Sequence, residues 1–264
     1  MMEPTTDISI LSLVMAYLLL FVPIVISYLF NLKITKEAVI STIRMTVQLF
    51  IMSIILIYLF RFDNRWINMG WLTFMITFAA FRIIGSTGLN VRRFIWPIFL
   101  SLFISNFLTI FYFNFVILRL DNVFTVRYFV IIGGMLLGNA LNGDIIGIRN
   151  FYKDILRNKE RYLFALGNGA TVYEAVLPYF RNALITALKP TIASMATIGI
   201  VSLPGMMTGQ ILGGSPPQTA IKYQIAIMIA ILMSVSLSVT LTIFFTMRSS
   251  FNEYGILKED VFKS

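Results

Sequence analysis

The stretch SLPGMMTGQILGG, Ser202 to Gly214, lies between two apolar runs. It places Pro-Gly, two methionines, a threonine and a glutamine where the flanking sequence reads as membrane. A spanning helix holds such an interruption only where neighbouring helices, side chains or water satisfy the freed backbone groups. The stretch therefore asks for a partner surface or a polar path, and its surroundings decide whether it lies in a membrane at all.

Those surroundings are apolar throughout. The chain has 264 residues, 58% of them hydrophobic and 12% charged. A soluble domain is about 45–50% apolar and about 25% charged. The composition reads as an integral membrane protein. There is no cysteine and no histidine. That removes disulfides, thiolate and imidazole metal ligands, Ser-His triads and Cys-His dyads together. The N-terminal flank MMEPTTD is acidic and the apolar run after it is long, which reads as a retained first span rather than a cleaved signal.

A spanning helix needs about 20 mostly apolar residues. Seven runs qualify: Ile8–Phe30, Val39–Phe60, Trp66–Ile84, Phe94–Leu118, Val126–Ile148, roughly Leu188–Thr208, and Ala220–Met247. The sixth ends inside the opening motif. Basic residues orient the set. Sixteen of the 21 Lys and Arg fall at the loops after spans one, three and five and in the tail, from Lys33 to Lys263. Arg61, Arg65, Arg119, Arg127 and Lys222 fall on the other side. The bias places the N-terminus outside and the C-terminus in the cytoplasm of a multi-pass protein of the cell membrane. The net charge of +9 is then mostly topology and contact with anionic lipid, not a nucleic-acid surface.

Residues 149–189 form the sizeable soluble segment. Ile148, Phe151, Tyr152, Ile155, Leu156, Tyr162, Leu163 and Leu166 keep helical spacing. Gly167-Asn168-Gly169 reads as a turn with a glycine helix cap. Thr171 and Glu174 read as a capping box, and a second apolar stripe containing Tyr179 and Phe180 follows, interrupted by Pro178. This amphipathic hairpin either covers its own apolar faces at the membrane surface or docks a cytoplasmic partner.

Within the spans, the acidic residue is Asp144, in GGMLLGNALNGD. An intramembrane acid is a functional-site candidate; the alternative is a local pair with Arg149. Arg44 and Gln48 sit in span two, where Arg44 can snorkel and Gln48 can bond another helix. Gly133, Gly134, Gly138 and Gly143 suit close helix packing. Met206 and Met207 are soft donors, but neighbours on a helix point about 100° apart, which favours packing. No G-x-x-x-x-G-K-[ST] loop is present, so any ATP is bound by another chain. An intramembrane enzyme is disfavoured by the missing His, Cys and acid pair.

The run ATIGIVSLPGMMTGQILGGSPPQTAIKYQIAIM, Ala196 to Met228, resembles the characteristic block of the FetB-type (YbbM-like) ABC transporter permeases. GMLLGNALN, residues 134–142, is similar to that family's block in its fifth span. GATVYEAVLPYFRNALITALKP, residues 169–190, resembles its segment leading into the motif, and Gln48 matches a polar position in its second span. The resemblance implies an all-α permease domain over residues 1–264, acting as a homodimer with a separate cytoplasmic ATPase that binds ATP and Mg. It implies export, linked in that family to iron, to aluminium tolerance and to a nucleotide sugar. The chain itself then carries no cofactor and no metal site.

On that resemblance Pro204, Gly205, Met206, Met207, Thr208, Gly209 and Gln210 line a transport path, with Tyr223, Gln224, Asn139, Asp144 and Gln48. Gly205 and Gly209, four apart, give one small-residue face. Glu160, Gly167, Gly169, Glu174, Tyr179, Phe180 and Arg181 are the expected ATPase-coupling residues. One departure stands. Importer-type permeases place Glu six residues before the Gly of a coupling loop, but here Arg161 precedes Gly167 and Leu163 precedes Gly169 at that spacing, with Glu160 out of register. A stand-alone secondary transporter or channel is the competing reading, with Asp144 as its ionisable site.

Overall fold

The computed structural model describes residues 7–258 and 261–262. Lys263, one of the basic tail residues, and most of the MMEPTTD flank lie outside the described residues. Among these residues the chain is helical, with isolated bridges but no strand.

Helices α1 (Ile10–Tyr17) and α2 (Phe21–Leu29) are joined by one 3-10 turn at Leu18–Leu20 and form the first span. Helix α3 (Thr35–Phe62) returns beside them. Tyr17 Oη and Thr46 Oγ1 meet at 2.6 Å, and Thr35 Oγ1 donates to Ser27 Oγ at 2.8 Å. Helices α4 (Arg65–Thr87) and α5 (Val91–Tyr112), the latter extended by a π turn at Phe113–Ile117, make a tight hairpin. Gly88, at φ +73°, ends α4 in the left-handed region that favours glycine. Asn90 then opens α5, its side chain accepting from Arg92 N–H at 3.2 Å.

Helix α6 (Val126–Arg157) is the axis of the bundle. Its N-terminus is held from 63 residues away: Asp63 Oδ1 accepts from Val126 N–H at 2.9 Å and from Asn68 Nδ2 at 3.1 Å. A carboxylate there satisfies a free helix N–H and complements the helix dipole. Helix α4 runs alongside in the same sense, with Leu72 against Gly133 and Arg149 donating to the Ser86 carbonyl at 3.4 Å. Helix α5 runs the other way: Asn106 Nδ2 donates to the Gly133 carbonyl at 3.1 Å, and Phe94 packs edge-on to Tyr152.

After α6 come the short α7 (Lys159–Gly167), α8 (Val172–Thr197), α9 (Gly205–Leu212) and the long α10 (Pro217–Ser250). Helix α8 returns antiparallel to α6, bringing Ala187 to Gly147 and Asn182 to Asp154. Helix α10 runs parallel to α6 and approaches it closely. A Cβ on Gly143 would lie 2.5 Å from Val235 Cγ1, and one on Gly147 would lie 2.6 Å from Val239 Cγ1. Gly133 and Gly134 also face side chains at about 3 Å, whereas Gly138 faces open space. The predicted glycine packing holds for three of its four residues, and Gly147 joins them.

Six helical stretches are long and apolar enough to cross a membrane: Ile10–Leu29, Thr35–Phe62, Arg65–Thr87, Val91–Ile117, Val126–Arg157 and Pro217–Ser250. They match six of the seven predicted runs. The run Leu188–Thr208 is corrected: it is not one helix but the end of α8, an irregular segment and the start of α9. The reason is local. Gly199 takes φ +88° and Pro204 cannot continue a helix from its N-terminal side.

The connections sort the basic residues. Arg82, Arg92, Arg93, Arg149, Lys153, Arg157 and Arg248 gather at the end where α4 turns into α5 and α6 leaves the bundle. The tail closes over that end. Val261 is fully buried, its carbonyl accepts from Asn90 N–H at 3.1 Å, and Phe262 packs edge-on to Tyr152. Tyr162 Oη donates to the Gly255 carbonyl at 2.6 Å, and burial pushes this hydroxyl up to about 12.

Candidate functional site

The opening motif forms a helix break. Helix α8 ends at Thr197, and a turn follows in which Val201 N–H bonds the Thr197 carbonyl and Gly199 N–H bonds the Ser202 carbonyl, each at 2.9 Å. Pro204 caps α9, whose Thr208 hydroxyl and N–H both donate to the Pro204 carbonyl at 3.0 Å. Pro190 inside α8 also lacks the N–H that would bond the Thr186 carbonyl. These irregularities face a cleft of about 380 Å³ between α6, α8 and α10. Asn139, Asn142, Thr191, Ser194 and Ser202 line it, with Met228 among its apolar walls and no charged side chain. Broken helices beside a polar cavity are how membrane proteins build solute sites.

The motif residues divide. Pro204 lines the cleft, and Asn139 beside it donates to the Met135 carbonyl at 2.9 Å. Met207 is buried and Met206 is half-buried against the core, so the two point apart as packing residues do. Thr208 is half-buried. Gly205 and Gly209 are exposed and meet nothing within 4 Å, so their shared face is open within one copy. Gln210 and Gln224 each bury a side-chain oxygen without a partner. Tyr223, next to Gln224, is half-buried. Gln48 is exposed on α3, away from the cleft, and the structure does not bring it to the other candidates.

Asp144 is fully buried. Its Oδ2 accepts from Ser238 at 2.7 Å and from Thr242 at 3.2 Å. No pair with Arg149 forms; Arg149 is exposed and bonds the Ser86 carbonyl instead. Thr242 Oγ1 also meets Ser101 Oγ at 2.6 Å. Ser234, Ser238, Thr242, Thr246 and Ser250 all lie on one face of α10 and all are buried. Sequence reasoning missed this row. Its signal was present: Ser or Thr at every fourth position over four helical turns presents one polar stripe.

The basic end carries the expected coupling residues. The capping box is formed, with Thr171 and Glu174 exchanging side-chain and backbone bonds. The Thr171 N–H and hydroxyl hold the Glu174 carboxyl below the usual carboxylate range. Gly167 closes α7 and Gly169 takes φ +91°. Glu160 and Arg181 are exposed and Phe180 is half-buried. Tyr179 turns inward, edge-on to Tyr162. Other apolar residues are exposed there, among them Phe164 at 74% and Tyr173 at 54%, the latter stacked on Phe244 of α10.

The sequence is similar to several known membrane proteins. The chain is 34% identical over 216 residues to Protein ALUMINUM SENSITIVE 3 of Arabidopsis thaliana, covering 81% of this chain and 77% of that one. It is 31% identical over 216 residues to the probable iron export permease protein FetB of Escherichia coli K12, covering 82% of each. It is 30% identical over 219 residues to the UPF0014 membrane protein YjkA of Bacillus subtilis 168, covering 83% of this chain and 86% of that one. No solved structure matches. The model of the uncharacterised protein family UPF0014 matches residues 10–251. With six membrane-length apolar helices and this match across nearly its whole length, the chain is a multi-pass membrane protein that belongs to the uncharacterised protein family UPF0014.

Proposed function

We propose that the chain is the membrane-spanning subunit of an ATP-driven exporter. A separate cytoplasmic ATPase binds ATP and Mg and docks on the 149–189 segment. The observation that carries this reading is the exposed pair Phe164 and Tyr173 at the basic end. Helix α7 opens with Lys159, Glu160 and Arg161, so it lies outside the hydrocarbon. Apolar rings held among charges at a membrane surface call for a covering partner.

The cargo enters the cleft at the helix break. A metal, iron in the first place, is the cargo we infer, supported by the printed name of the Escherichia coli relative. The lining offers amide, hydroxyl and thioether groups, which also suit a small polar solute such as a nucleotide sugar. Two copies pair through the open Gly205 and Gly209 face and complete the path. The orphaned oxygens of Gln210 and Gln224 support a polar route near that face. A stand-alone ion-coupled transporter is the second reading, favoured by buried Asp144.

Changing both Phe164 and Tyr173 to Asp is expected to abolish co-purification with the ATPase while the permease still reaches the membrane. Retained binding would overturn the docking assignment. Tyr179, which packs inward, is the contrasting position: Tyr179→Asp lowers permease yield itself.

A further inference from the structure

Asp144 does more than pack. It sits at the closest approach of α6 and α10, flanked by Gly143 and Gly147, which admit the α10 backbone. Its Oδ2 has two hydroxyl donors, whereas its Oδ1 is buried with no partner. Among the described residues no Lys or Arg bonds it, and Arg82 on α4, which also packs along α6, is exposed. Helix α10 carries no Lys or Arg between Lys222 and Arg248, and α5 carries none between Arg93 and Arg119. On α6 the nearest basic residues are Arg127 and Arg149, with Arg149 turned to Ser86. On α8, which meets α6 at Ala187, the charged residues are Glu174, Arg181 and Lys189, all exposed. Phenols on these elements are engaged elsewhere: Tyr152 bonds Ser250, and Tyr173 stacks on Phe244. A purely structural hydrogen-bonding role at this position needs only Asn or Ser. A carboxyl adds one property, the ability to gain and lose a charge, and a buried charge without a partner is resolved by neutralisation.

We propose that Asp144, with Ser238 and Thr242, is a reversible proton-binding site inside the membrane. The ionised form is held by the two hydroxyls on Oδ2. The neutral form carries its proton on Oδ1. Gly143, the adjoining residue, lines the polar cleft, whose volume of about 380 Å³ has room for water one residue from the carboxyl. The proton passes between that water and Oδ1 as α6 and α10 shift against each other. The site holds whether the chain works with an ATPase or alone.

The test is infrared titration of the purified full-length permease in lipid bilayers. A carboxylic C=O stretch is expected that gives way reversibly to carboxylate as pH rises, and that Asp144→Asn removes. Ser238→Ala is expected to move the midpoint. Ser236→Ala, whose hydroxyl bonds the Leu232 carbonyl, leaves it in place. A band assigned to Asp144 that does not titrate overturns the proposal, as does a midpoint indifferent to Ser238→Ala. A midpoint that follows sodium concentration at fixed pH assigns the charge to an alkali ion and overturns the proton. This arm needs no ATPase, so failure of the ATP-driven reading leaves it intact. In the complex, Asp144→Asn is expected to flatten the pH dependence of ATP hydrolysis across the same midpoint.

Discussion

Helices α3 and α10 are alike in composition and opposite in surroundings. Both are long and apolar enough to cross a membrane, and both carry Ser and Thr. Yet 6% of the most apolar window of α3 is buried against 50% of that of α10. On α3, Thr42 and Thr46 turn their hydroxyls back to carbonyls four residues earlier, and Arg44 and Gln48 stay exposed. On α10, Ser238 and Thr242 reach across to Asp144, and Thr242 also meets Ser101. Apolarity selects the membrane, but it does not say whether lipid, another helix or another copy of the chain is the neighbour. Small and polar residues at helical spacing say that.

The largest expected effect comes from carrying the same substitution to the two kinds of glycine. Gly143→Leu and Gly147→Leu force side chains into Val235 and Val239. Overpacking alone costs about 1–3 kcal/mol, and here the Cβ already overlaps, so loss of folded permease is expected in a thermal unfolding assay. Gly205→Leu and Gly209→Leu meet nothing within the chain. They are expected to fold and to bind the ATPase but to lose efflux. If both pairs unfolded alike, the open face would not be an interface between copies.

Next is Thr242→Val, which keeps shape and removes the hydroxyl shared by Asp144 and Ser101. An orphaned buried partner costs about 1–3 kcal/mol, read as a lowered midpoint of unfolding. The corresponding Thr42→Val on α3 is expected to change stability by less than about 0.5 kcal/mol, since it frees only a carbonyl that already bonds within its helix. Equal losses would erase the distinction between the two helices.

Tyr162→Phe tests the tail. It frees the buried Gly255 carbonyl at a cost of about 1 kcal/mol. The Tyr162 hydroxyl titrates higher in the folded chain, near 12 against the ordinary 10.0. Its contribution is therefore complete below pH 10 and is lost as pH rises toward 12. Tyr162→Phe is expected to flatten that alkaline loss of stability. The smallest effect belongs to Met206→Leu and Met207→Leu. Volume-conserving swaps cost less than about 1.5 kcal/mol, and efflux is expected to persist. Lost efflux with retained ATPase binding would instead make the thioethers ligands.

Much of this was legible in residue pattern. Six spans, the capping box at Thr171 and the packing glycines of α6 follow from hydropathy, cap chemistry and small-residue spacing. The single-helix reading of Leu188–Thr208 failed because hydropathy averages across Gly199 and Pro204, which act through φ and a missing donor. The role of Asp63 was not legible, because its partner, Val126 N–H, is 63 residues away. Tyr179 looked like Phe180 in sequence, but it shares the buried face of α8 with Ala175, Val176 and Ala183 and packs edge-on to Tyr162 of α7. The hydroxyl row of α10 was readable at its four-residue spacing, but its meaning needed Asp144 opposite.

The central claim is that the tail-covered basic end faces the ATP side of the membrane. The chain has no cysteine, so single cysteines report cleanly. Asp121, just before α6, and Asn168, which follows α7 beyond the other end of α6, are both exposed. In intact cells an impermeant thiol reagent is expected to label Asp121→Cys and to leave Asn168→Cys unlabelled until the membrane is opened. Labelling of Asn168→Cys in intact cells, with Asp121→Cys protected, would put the basic end outside and contradict the account.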